Sequence, residues 1–121
     1  MEQKYQIGNE HGSVIWDIEK ILNDKDDFEI REYDVKILAA NNTFHGDERY
    51  AMSTDISKPL IVAELSENID KLIDGNHRLQ KALALGIEKI PAYFLSFEEH
   101  RRYIIDYNEK TYLDVVKYWQ K

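Results

Sequence analysis

The 121-residue chain contains no cysteine, which excludes a disulfide framework, a thiolate metal site and a cysteine nucleophile together. Any chemistry must come from carboxylates, histidines, hydroxyls and bases. Positive charge is also scarce: 16 Lys and Arg stand against 23 Asp and Glu, a formal net charge of −7. Proteins that hold duplex DNA draw much of their affinity from many lysine and arginine contacts to phosphate, so direct duplex binding is not expected. No run approaches the roughly 20 apolar residues that span a bilayer, and Met1-Glu2-Gln3-Lys4-Tyr5 lacks the apolar core of a signal peptide. A cytoplasmic protein without membrane association is therefore expected. Repeats, low-complexity tracts and Gly/Ser linkers are absent as well, so nothing marks a second domain.

What is present suffices for one modest core. The chain is 43% hydrophobic, in the size range of one domain spanning residues 1–121. Ser13 precedes Val14, Ile15, Ile18, Ile21 and Leu22, which predicts an amphipathic helix capped by Ser13. From Phe28 to Ala40 the apolar alternation changes phase near Glu32-Tyr33, which predicts one or two strands with an irregularity. Residues 41–58 are polar and turn-rich, suited to a short helix and a functional loop. Pro59 to Leu65 and Lys71 to Asp74 read as a hairpin joined by a polar turn. A helical face at Leu79, Ala82 and Leu83 ends at Gly86, followed by a strand from Ile90 to Leu95. Ser96-Phe97-Glu98-Glu99 has capping-box form and opens a helix through Ile105, and Tyr112, Val115, Val116 and Trp119 define a last one. The fold class expected is α/β of the mixed α+β kind: a small mixed sheet, flanking helices and two C-terminal helices within 96–121.

The segment Asp74-Gly75-Asn76-His77-Arg78 places a glycine and two basic side chains where a strand becomes a helix. The first helical turn has unpaired N–H groups and about half a positive charge from the macrodipole, so it attracts phosphate. Gly75 lets a ligand approach the backbone, Arg78 can grip a phosphate through two parallel N–H bonds, and His77 can donate one more. Asp74 is repelled by phosphate unless it holds Mg²⁺, binds a ribose hydroxyl or accepts a proton from a reacting hydroxyl. The same residues also admit a purely structural reading, in which Asp74 caps the helix, Gly75 makes the turn and Arg78 pairs with a surface acid.

Taken further, Ile73-Asp74-Gly75-Asn76-His77-Arg78-Leu79-Gln80-Lys81-Ala82-Leu83, then Gly86, then Ile90-Pro91-Ala92-Tyr93, resembles the ParB/sulfiredoxin superfamily. Upstream, Asp55-Ile56-Ser57-Lys58-Pro59-Leu60-Ile61-Val62 is similar to that family's serine-containing segment and proline-led strand. The resemblance covers residues 49–95. It implies a Gly-x-x-Arg turn that binds the phosphates of ATP, ADP or CTP with Mg²⁺. Gly75, Asn76, His77, Arg78 and Ser57 become the nucleotide contacts, Asp74 the metal ligand, and Asp74 with His77 the catalytic candidates. Sulfiredoxins carry their catalytic cysteine where Asn76 stands, so their reaction is excluded. Partition proteins continue into helix-turn-helix and dimerisation regions for which few residues remain here. The free-serine-kinase branch has an Asp-Gly-His-His-Arg version of the turn, in which Asp74 would activate an acceptor hydroxyl. Its second acid is not matched, since nothing selects among Asp17, Glu19 and Glu29.

Three functions follow as expectations. The first is Mg²⁺-dependent nucleotide binding with hydrolysis or phosphotransfer. The second is a non-catalytic accessory or immunity-type interaction module that retains the fold, with 111–121 as a surface for a protein partner or homodimer. The third is a metal-dependent nuclease, which the acidic charge disfavours. His45, Asp47, Arg49, Ser53 and Thr54 are further candidates for the pocket, whereas His45, His77 and Asp74 lack the spacing of a transition-metal site.

Overall fold

Pro59 leads into Leu60-Ile61-Val62-Ala63, a continuous apolar run, and such a run suits a strand covered on both faces. In a computed structural model, which describes residues 4–9, 12–40, 57–66 and 69–119, this run forms β4 (Leu60–Ser66), an inner strand of a four-stranded mixed sheet. Its neighbours are β5 (Ile69–Asp74), antiparallel, and β6 (Lys89–Leu95), parallel; β3 (Glu29–Asp34) pairs antiparallel with the far side of β6. The sheet order is thus β3-β6-β4-β5. A separate hairpin is made by β1 (Lys4–Asn9) and β2 (Gly12–Asp17). The α-helices are α1 (Ile18–Asn23), α2 (Val35–Ala40), α3 (Asn76–Ala84), α4 (Phe97–Arg101) and α5 (Glu109–Trp119).

Successive residues of β4 point to opposite faces and enter two different cores. Leu60 and Val62 join Leu72, Ile90 and Ala92 beneath Val35 and Leu38 of α2 and Leu79 and Ala82 of α3. Ile61, Ala63 and Leu65 join Ile73 and Leu95 beneath Trp16 of β2, Ile18 and Ile21 of α1, and Tyr112, Val115 and Val116 of α5. The result is an α/β arrangement of three layers, and the mixed α+β expectation holds. Among the described residues no helix is long and apolar enough to cross a membrane.

Three local expectations are corrected. The helix predicted from Ser13 begins at Ile18, with Asp17 as its cap accepting from the Lys20 N–H at 3.1 Å. Gly12–Asp17 is a strand instead, because Val14 and Trp16 are buried while their neighbours are not, a period of two that competes with the helical spacing. The phase change after Glu32 is not a bulge in a second strand: Asp34 ends β3, and its Oδ1 accepts from the Ile37 N–H at 3.1 Å as α2 begins. The helix opened by Ser96 stops at Arg101 rather than Ile105. There the chain turns to pair with β2, through Asp17 N–H to the Tyr103 carbonyl at 2.9 Å and Ile105 N–H to the Ile15 carbonyl at 2.8 Å.

Other expectations hold as made. The β4–β5 hairpin forms, with β5 starting two residues early at Ile69. Gly86 ends α3 at φ 73°, with Gly86 N–H bonded to the Leu83 carbonyl at 3.2 Å and Ile87 N–H to the Ala82 carbonyl at 3.0 Å, the bond pair of a Schellman ending. Both bonds of the Ser96–Glu99 capping box are made. The expected loop and short helix within 41–56 lie outside the described residues.

Candidate functional site

Gly75 sits between the end of β5 and the first residue of α3 with φ 101° and ψ 23°, a left-handed conformation that residues with a Cβ rarely adopt. A Cβ there would also collide with the Leu60 side chain and lie 3.2 Å from Nη2 and 3.3 Å from Nε of Arg78. Glycine is required twice, by its backbone angle and by the close packing of strand, helix and guanidinium. Leu79 N–H closes the first helical bond on the Gly75 carbonyl at 2.9 Å. Gly75 brings no capping side chain, and the first turn holds no acid, so α3 presents its positive dipole end beside Gly75.

The predicted residues 74–78 are consecutive on this turn. Arg78 does more than face outward: Nη2 donates to Asp74 Oδ2 at 2.8 Å, while Nη1 donates to the carbonyls of Pro59 at 2.8 Å and Lys58 at 3.2 Å. The Asp74–Arg78 pair is largely shielded, with side chains 23% and 16% exposed. Arg78 thus ties together the start of β4, the end of β5 and α3. The bonds to Lys58 and Pro59 also bring Ser57, the adjacent exposed residue, to the vicinity of the turn. Asn76 and His77 occupy the first two helical positions, both partly buried. His45, Asp47, Arg49, Ser53 and Thr54 lie outside the described residues.

Two candidates for a second acid have local roles. Asp17 caps α1, and Glu29 pairs with Arg31 at 2.9 Å. Among the described residues no group of three or more His, Asp or Glu is arranged to hold a metal ion by protein ligands alone. Asp74 by itself still suits Mg²⁺ arriving on a nucleotide, because Mg²⁺ is commonly held by one or two carboxylates plus phosphate oxygens.

One buried polar centre escaped the sequence reading. His100 is fully buried between α4, β4, β2 and α5. The Trp16 indole donates to its Nδ1 at 3.2 Å, so Nε2 carries the proton and donates to the Glu64 carbonyl at 2.7 Å. Tyr112 donates beside it to the Leu65 carbonyl at 2.9 Å. Burial drives the His100 pKa down to about 4, against a smaller upward effect of the Glu64 bond. This arrangement serves the second core; the only local signal was a histidine four residues after the capping serine. No protein-family model, no curated protein and no solved structure matches the chain.

Proposed function

We propose that the Asp74–Arg78 turn binds the phosphates of a Mg²⁺-nucleotide, ATP, ADP or CTP, in a cytoplasmic ParB/sulfiredoxin-like protein. The observation that carries this reading is Gly75 itself, left-handed at φ 101° directly before the acid-free first turn of α3 and beside the Arg78 guanidinium. A glycine directly before a helix N-terminus leaves no side chain between the first-turn N–H groups and an approaching phosphate. In this reading the N–H groups of the first turn and His77 hold the phosphate, Arg78 supplies charge, and Ser57 lies at the rim. Asp74 takes the metal or the proton of an acceptor hydroxyl, the step that hydrolysis or phosphotransfer requires.

A second reading is favoured by a different observation. Arg78 already makes three hydrogen bonds within the fold, as a structural brace in a non-catalytic interaction module would.

Calorimetric titration with ATP, ADP, CTP and GTP in Mg²⁺ separates the two. Arg78→Ala is a poor control, because it strips the Lys58 and Pro59 carbonyls of a donor; His77→Ala leaves that brace in place. The nucleotide reading expects saturable binding by the wild type and about tenfold weaker binding by His77→Ala, the size of one charge-assisted contact. A folded wild type that binds none of the four rejects it in favour of the interaction module.

A further inference from the structure

We draw no further inference here: the strongest candidate, the side-chain cluster of Glu64 and Asp70 paired across β4 and β5, is a group of acids beside which no second observation among the described residues points to a ligand.

Discussion

Residue by residue, the turn was legible because its members are consecutive. Asp74, Gly75, Asn76, His77 and Arg78 can be placed at a strand-to-helix junction from the apolar runs on either side, and a glycine there announces an unusual backbone angle. What could not be read is the partner set of Arg78, since the carbonyls of Lys58 and Pro59 are 20 and 19 positions away and a backbone carbonyl has no sequence signature. The two glycines that bound α3 offer a direct comparison. Gly86 has φ 73° with nothing within 4 Å of an added Cβ, whereas Gly75 has φ 101° and meets Leu60 and Arg78. Gly86→Ala should cost only the backbone penalty, about 1 kcal/mol. Gly75→Ala adds a steric clash and should cost about 2–3 kcal/mol or more. Urea unfolding of the two variants measures the difference, and equal costs would mean that Leu60 and Arg78 yield freely.

The local signals at Ser96 and Gly86 were read correctly, whereas Asp17 and Asp34, which cap α1 and α2 within three residues, were passed over because the apolar spacing around them was ambiguous. The capping box at Ser96 and the ending at Gly86 are satisfied within a few residues, so sequence suffices. The Val14–Leu22 stretch fits a strand and a helix about equally. Its strand half pairs along its length with β1 and is held further by the Tyr103 and Ile105 backbone and by the Trp16–His100 bond across 84 positions. The latter bond makes the junction of β2, β4 and α4 sensitive to acid. An imidazolium would turn Nδ1 from acceptor to donor, facing the Trp16 N–H. The folded pKa of about 4 lies below the usual 6.5, so between these values the unfolded chain binds the proton and the folded chain does not. The contribution is full above about pH 6.5 and is lost as pH falls toward about 4. By linkage the wild type should lose about 2 kcal/mol from this group between pH 7 and pH 5. His100→Gln should be less stable at pH 7 yet lack that part of the pH dependence. Urea denaturation of both proteins at the two pH values provides the check, and parallel losses would remove His100 as the cause.

At the scale of the whole molecule, the sheet divides the hydrophobic interior into two cores, and the candidate site lies where β4, β5 and α3 meet at one end of the sheet. The C-terminal stripe could be read from sequence as a core or a docking face; Tyr112, Val115 and Val116, at 1%, 0% and 3% exposure and packed in the Trp16 cluster, form core. Leu113 on the opposite side is 53% exposed. Three buried side chains contribute about 1.5–3 kcal/mol each, a sum comparable to the 5–15 kcal/mol that holds an ordinary domain together. Removing the chain from Thr111 onward also uncovers Val14 and Trp16 of the β1–β2 hairpin. The shortened protein should therefore lose cooperative unfolding and its near-ultraviolet dichroism. Tyr112→Ala in the full chain should cost about 3–5 kcal/mol, and Leu113→Ala less than about 0.5 kcal/mol. A truncated protein that still melts cooperatively at the wild-type temperature would show that α5 covers the second core without holding it, and would return the helix to consideration as a surface for a partner.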